Sequence, residues 1–367
     1  MDKIVARDKM AQWLQSLREK YELIGPVERA DSAPEFKDID SNSDIALDNA
    51  AWLMPPKDFL LPRTETLAVY DPKDESEPLK TPLAEDKPRL MLGLRACDAR
   101  AIKVLDSVYL EGAFQDPYYA ARRKGMVMVG NVCDEARWSC LCTSVGDPIE
   151  WLKDLDAIVT DIGDSFVVTA NTPVGESLLD SSYSSHLSNP SDDQLKLKQA
   201  AWDKLAAVEK KPFAEKLSKD PSTALRASFL SWEDPIWEKF SRKCLGCGIC
   251  SYLCPSCSCF DIQDETVQGV TERFRCRDTC QTCYFTLMPS HNPRPERKMR
   301  VRQRLSHKFK YQPEQFGMLG CTGCGRCVDL CPVNLDIRIN TGEVIEYLNV
   351  GGGGGGAAQH VLNSILP

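Results

Sequence analysis

Two stretches of the chain carry cysteine at the same four relative positions. "CLGCGICSYLCP" runs from Cys244 to Pro255 and "CTGCGRCVDLCP" from Cys321 to Pro332. Each reads C-x2-C-x2-C-x3-C-P. Cysteine thiolate is a soft donor, suited to iron–sulfur clusters and to zinc. Three thiolates at intervals of three on a tight turn can reach three irons of one cubane cluster. Gly246, Gly248, Gly323 and Gly325 lie between them, and such small residues let backbone N–H groups approach inorganic sulfide. The fourth cysteine is expected on the following helix, pointing away from the first three. It therefore completes a neighbouring cluster, and Pro255 and Pro332 turn the chain after it.

This is the spacing of bacterial ferredoxins, in which the fourth cysteine serves the other of two clusters. It assigns Cys244, Cys247, Cys250 and Cys331 to one [4Fe–4S] cluster, and Cys321, Cys324, Cys327 and Cys254 to a second. Paired C-x2-C also binds zinc. The ferredoxin register of the third and fourth cysteines, with proline after the fourth, argues against that. The stretch between Cys254 and Cys321 is far longer than a minimal ferredoxin needs. It predicts a mainly helical dicluster domain with a long insertion.

The chain has 17 cysteines. An odd number leaves one without a disulfide partner, and a reducing cytoplasm keeps thiols free. Cys97, Cys133, Cys140 and Cys142 are the only ones before Cys244. Cys97 and Cys133 each follow a strand-like run, and strand ends at one sheet edge are where ligands gather. Four thiolates match a third [4Fe–4S] cluster, although the spacing is not a standard one. A buried Cys97 beside three thiols that bind nothing, or zinc, is the alternative. Cys257, Cys259, Cys276, Cys280 and Cys283 remain, all in the insertion. They could supply a further iron or zinc site, or pack as small hydrophobes beneath the main clusters.

The elements that must position these residues follow from apolar periodicity. "RLMLGL" predicts a strand ending near Leu94, then a turn with Cys97 and Asp98. A helix follows through Ile102, Val104, Leu105 and Val108. "GMVMVGNVC" predicts a strand over Met126–Val129, and "DAIVTDIGDSFVVTA" a hairpin about Gly163 and Asp164. Strands interleaved with helices predict an α+β or α/β N-terminal domain over residues 1–215. A mainly helical, ferredoxin-like domain with two cubane clusters is expected over 216–345, and a C-terminal tail over 346–367. In that tail Gly351–Gly356 can be neither stable helix nor strand. A polar loop at Ser181–Asp193, a charged helix to about Lys219 and a helix leading into Cys244 span the boundary. The N-terminus reads as a surface helix with Ile4, Met10, Trp13, Leu14 and Leu17 on one face, not as a secretory signal.

A formal charge of -8 argues against generic binding to nucleic acid or anionic membranes. No apolar run is long enough to cross a bilayer, and the expected location is the cytoplasm. Against the acidic balance, His291–Tyr311 is dense in Lys and Arg, with Glu296 its only acid. A solvated helix face is one reading. Cations beside anionic iron–thiolate clusters, which raise their reduction potentials, are another, and docking of an acidic partner is a third. His186, His291, His307 and His360 are scattered. There is no Gly-rich nucleotide loop, so no flavin or NAD site of the chain's own is expected.

The order of "GLRACDARAIKVLD", "DPYYAARR", "SCLCTSVGDP", "CLGCGICSYLCPSCSCFD", "HNPRPERKMRVRQRLSHKFKY" and "GCTGCGRCVDLCPVNLDIR" resembles the β subunits of soluble sulfhydrogenases. It is similar too to the iron–sulfur A subunit of anaerobic sulfite reductases and to electron-input subunits that accompany heterodisulfide reductases. The resemblance runs from about residue 90 to about residue 340. Arg277 departs from it where an aromatic is expected, and Cys276 and Cys283 are additional. The resemblance implies the two ferredoxin-type clusters at the eight cysteines assigned above. It also implies an electron-transfer subunit of an anaerobe's multi-subunit complex. Such a subunit stands between a flavin- and NAD(P)-binding partner and a terminal unit of hydrogenase, sulfite reductase or heterodisulfide reductase type. Two other readings compete with it. One is a catalytic subunit with substrate at an unusual cluster of the five extra cysteines. The other is a zinc-stapled scaffold without redox activity.

Overall fold

The computed structural model describes residues 1–30, 32–40, 45–47, 53–83, 88–180, 185–208 and 234–349. The expected glycine run at Gly351–Gly356 and most of the helix leading to Cys244 lie outside them. In chain order the strands are β1 (Asp2–Ala6), β2 (Glu22–Arg29), β3 (Ser32–Asp38), β4 (Thr64–Tyr70), β5 (Leu79–Lys80) and β6 (Arg89–Leu94). They continue with β7 (Met126–Asn131), β8 (Ala157–Asp161), β9 (Ser165–Ala170), β10 (Leu187–Ser188), β11 (Phe260–Val267) and β12 (Val270–Arg277). The chain divides into two compact units. The first gathers Met1–Pro62, Pro82–Trp138 and Asp147–Glu209, the second Arg63–Thr81, Ser139–Gly146 and Lys210–Pro367.

The first unit is built on an eight-stranded mixed sheet in the order β10-β1-β9-β8-β7-β6-β2-β3. Its centre, β2, β6, β7 and β8, is parallel. Strands covered on both faces must be apolar throughout rather than alternating. "MVMVGN" of β7 is buried at every position, and β6 at all but its first. The β8–β9 hairpin pairs antiparallel as expected, Ala157 opposite Ala170 through Asp161 opposite Phe166. At the N-terminus Met10, Trp13, Leu14 and Leu17 do form the buried face of a helix, Met10–Leu17. Ile4 does not share it. It sits in β1, where its strand pairs with β9 and β10. Among the described residues no helix is long and apolar enough to cross a membrane.

The second unit adds to the expected helices a sheet that the sequence reading did not foresee. It contains a four-stranded antiparallel sheet, β11-β12-β4-β5. The long insertion between the cysteine motifs opens with the β11–β12 hairpin, paired from Phe260–Arg277 to Val267–Val270, and closes with the helical stretch Arg297–Phe316. Its two-residue turn is Gln268–Gly269, both at positive φ (52° and 88°), the twist-matched conformation of a tight hairpin. Strand β4 arrives from the far N-terminal half to pair with β12. Between them Arg275 Nε donates to Glu65 Oε2 at 2.6 Å, and both residues are only 5% exposed. The helices flanking the motifs meet in an apolar core of Trp237, Phe240, Val301, Leu305, Phe309 and Val328.

The Arg275–Glu65 pair stitches two sheet segments. Removing one partner strands the other charge, so Glu65→Ala is expected to cost about 3–5 kcal/mol in urea denaturation. Glu65→Leu combined with Arg275→Met restores most of that loss, because no buried charge is then left alone.

Candidate iron–sulfur centres

Each motif folds in the same way. Gly246 and Gly248 have φ of 70° and 77°, and their counterparts Gly323 and Gly325 have 71° and 75°. Those left-handed conformations are ones only glycine adopts at little cost. They turn the chain into a one-turn helix, Ile249–Tyr252 in the first motif and Arg326–Asp329 in the second. The third cysteine of each motif is on that helix, and the fourth follows its end. This differs from the expected placement of the fourth cysteine on a helix. The two short helices pack together. The Gly246 N–H donates to Cys244 Sγ at 3.4 Å, and the Gly323 N–H does the same for Cys321. A further N–H···S contact runs from Leu335 to Cys331 Sγ at 3.2 Å.

Cys244, Cys247, Cys250 and Cys331 line one cavity. Cys254 is the charge neighbour of Cys321 and of Cys327, which also face Cys324. The fold thus brings three cysteines of each motif together with the fourth of the other. None of the 17 is in a disulfide, and of these eight Cys247 alone is exposed.

Two buried cations lie against these thiols, Arg304 beside cysteines of both groups and Lys308 beside those of the second. Lys308 is 5% exposed. Its ammonium donates to Cys254 Sγ at 3.0 Å, Ser256 Oγ at 3.2 Å and the Gly320 carbonyl at 3.1 Å, which uses all three donors. Arg304 is 7% exposed, and its Nε and Nη2 have no hydrogen-bond partner. Burial works against both charges. Sulfur at Cys254, Cys257 and Cys321 outweighs it for Lys308 once deprotonated, and sulfur at Cys250, Cys327, Cys257 and Cys254 does so for Arg304. Both cations are held firmly protonated. Burial in turn pushes the Cys321 thiol up to about 11 and that of Cys327 up to about 12. Displacing those protons takes a metal cation at the sulfur. An unsatisfied guanidinium aimed among thiols is what an anionic iron–sulfur core would satisfy, so the residues present fit such a group.

The basic run His291–Tyr311 is therefore only in part a solvated face. Arg300, Arg302, Arg304 and Lys308 are buried. Arg300 donates to the carbonyls of Gln281, Arg294 and Pro295, and Arg297 to that of Cys244 at 2.7 Å. The helix Arg297–Ser306 widens into a π-turn over His307–Tyr311, which sequence periodicity did not signal. Also unforeseen was the segment Ser139–Gly146 lying on the second motif. Leu141 N–H donates to the Gly323 carbonyl at 2.9 Å. A Cβ on Gly323 would meet Cys142 N at 2.4 Å, and one on Gly325 would meet Ser139 Oγ at 2.4 Å.

The four cysteines read as a third cluster site fall in different units. Cys97 begins the helix after β6 and Cys133 follows β7, so both stand at the same end of two neighbouring parallel strands in the first unit. Cys140 and Cys142 belong to the second unit.

Comparison with known proteins places the same region in a described domain family. Residues 243–335 match the 4Fe-4S dicluster domain family. The chain is also 28% identical over 339 residues to Sulfhydrogenase 2 subunit beta of Pyrococcus furiosus, an alignment covering 92% of this chain and 96% of that protein. The resemblance drawn from the quoted motifs thus extends along nearly the whole chain.

Two measurements test the site. Gly323→Ala is expected to destabilise the protein by well over about 1 kcal/mol and to lower its iron content. Gly125→Ala, with nearly the same φ (69°) but open space around the new methyl, lowers stability less and leaves iron unchanged. Lys308→Met is expected to make one cluster potential more negative by on the order of 60 mV, a tenfold step for a one-electron couple, in a redox titration.

Proposed function

We propose that this chain, related along nearly all its length to a sulfhydrogenase β subunit and carrying a 4Fe-4S dicluster domain, is an iron–sulfur electron-transfer subunit. In this reading Cys244, Cys247, Cys250 and Cys331 hold one [4Fe–4S] cluster, and Cys321, Cys324, Cys327 and Cys254 hold another. The observation that carries it is the exchange of fourth cysteines: Cys331 stands on the cavity of the first motif, and Cys254 among the thiols of the second. When bound, such clusters supply one-electron redox chemistry at potentials set by charge, hydrogen bonds and burial.

The chain's own residues set those three factors. Lys308 and Arg304 bring fixed positive charge against the sulfurs and favour the more negative, reduced state. The N–H groups of Gly246, Gly323 and Leu335 hold sulfur at fixed distance, so little reorganises when charge changes. Leu141, Val301, Leu305 and Val328 keep water from the inner side. Cys247 and the 60% exposed Leu245 form the open edge, where electrons exchange with a partner. The partners that fit are a flavin- and NAD(P)-binding subunit on one side and a terminal unit of hydrogenase, sulfite reductase or heterodisulfide reductase type on the other. The compartment is the cytoplasm of an anaerobe.

Serine substitutions followed by low-temperature EPR of dithionite-reduced protein test the crossed ligation. Cys331→Ser and Cys247→Ser are expected to alter the same signal, and Cys254→Ser and Cys324→Ser the other. If Cys331→Ser instead shifts the signal that Cys324→Ser shifts, the assignment fails. Co-purification of the native complex identifies the neighbouring subunits.

A further inference from the structure

The five leftover cysteines of the insertion are parted by the fold. Cys276 lies in β12 opposite Asp261, its Sγ 3.8 Å from Thr64 Oγ1. Cys283 faces an open cleft shared with Arg242 and Arg297. Cys257, Cys259 and Cys280 instead line one cavity, separate from the cavity of the first motif. Three segments of chain meet there: the turn after Cys254, the loop after β12, and the π-turn after Ser306.

The remaining wall of that cavity has a consistent chemistry. It includes Arg304, His307, Lys308 and Gln312, and no carboxylate. Gln312 is 4% exposed and its Nε2 has no hydrogen-bond partner, as is true of Nε and Nη2 of Arg304. Buried N–H groups are seldom left without an acceptor. Here two side chains leave theirs open on the same small cavity that three thiols enter. Gln281 Nε2 adds a contact to Cys280 Sγ at 3.5 Å. The backbone is also unusual at this point. A π-turn over His307–Tyr311 presents His307 and Lys308 to the cavity, and such turns recur at functional sites. Packing of three small hydrophobes would need none of these donors. Zinc would use the thiols alone and leave the open N–H groups of Arg304 and Gln312 without an acceptor. An anion with iron at its corners and sulfide between them takes both the thiolates and the N–H groups.

We propose that Cys257, Cys259 and Cys280 are the thiolate ligands of a further polynuclear iron–sulfur cluster, its sulfides facing Arg304, Lys308 and Gln312. His307 is the one other side chain of ligand type on the wall. Cys276 and Cys283 take no part. The inference rests on the dicluster reading above, because Arg304 and Lys308 serve both places.

The test uses the full chain prepared without oxygen, with iron and acid-labile sulfide counted per polypeptide. Relative to the wild type, Cys257→Ser/Cys259→Ser/Cys280→Ser is expected to lose roughly three to four irons with their sulfide, the content of one cluster. It keeps the EPR signals that respond to Cys247→Ser and Cys324→Ser. Cys276→Ser/Cys283→Ser is expected to lose none. A triple variant with the wild-type iron count overturns the inference and leaves the dicluster reading standing. A wild-type chain without [4Fe–4S] signals overturns both. If the triple variant does not fold, Cys259→Ser alone decides: a changed Mössbauer subspectrum with dicluster EPR intact supports the site, and an unchanged one overturns it.

Discussion

An ammonium and a guanidinium removed from water must find negative charge or be expelled. In the second unit Lys308 and Arg304 are removed from water, and what they find is sulfur. Stripping such ions of hydration costs several kcal/mol each unless a counter-charge and good hydrogen bonds compensate. Much of the local structure serves that compensation. The helix Arg297–Ser306 carries Arg304 to the thiols, and the π-turn that follows brings Lys308 within 3.0 Å of Cys254 Sγ. The Ser256 hydroxyl and Gly320 carbonyl take its other two protons. Arg300 fastens the start of the same helix to the Cys280 loop through backbone carbonyls. Part of a basic run in an acidic protein is thus an internal counter-charge.

The two cysteine motifs share a backbone and differ in what surrounds it. On the first, Gly248 faces Thr279 and Tyr252, and Cys247 opens to solvent. On the second, Gly323 and Gly325 lie under Cys142 and Ser139, so close that a methyl at either would overlap the covering chain. One site is at a surface and the other is roofed. In the proposed dicluster reading, equal ligand sets in unequal dielectric surroundings would not have equal electron affinity, and a gradient between them would follow from a covering segment of only eight residues, Ser139–Gly146.

What the sequence made legible was whatever buried apolar surface or repeated itself. Strands β6 and β7 read as unbroken apolar runs because the sheet covers both their faces. The β8–β9 hairpin read from its glycine turn, and the motifs from their spacing. The β11–β12 hairpin did not read, for a physical reason. Every residue of β11 is exposed, so the alternation of Phe260 and Ile262 with Asp261 and Gln263 stops short and marks no buried face, and its Gln268–Gly269 turn lies between mostly polar strands. Ile4 was placed on a helix because the short strand before it has the same apolar character. The sorting of Cys257, Cys259 and Cys280 from Cys276 and Cys283 could not be read from spacing at all. It depends on three distant segments closing around one cavity.

Strand β4 has a consequence for how the molecule is made. Glu65 and its partner Arg275 are 210 positions apart. On a ribosome adding about 5–20 residues each second, β4 waits roughly 10–40 seconds for the strand it must join. Its neighbours on both sides in the chain can meanwhile settle into the first unit. The short segment Arg63–Thr81 leaves that unit as a loop with its edge unpaired, open to any chaperone or wrong strand that arrives first.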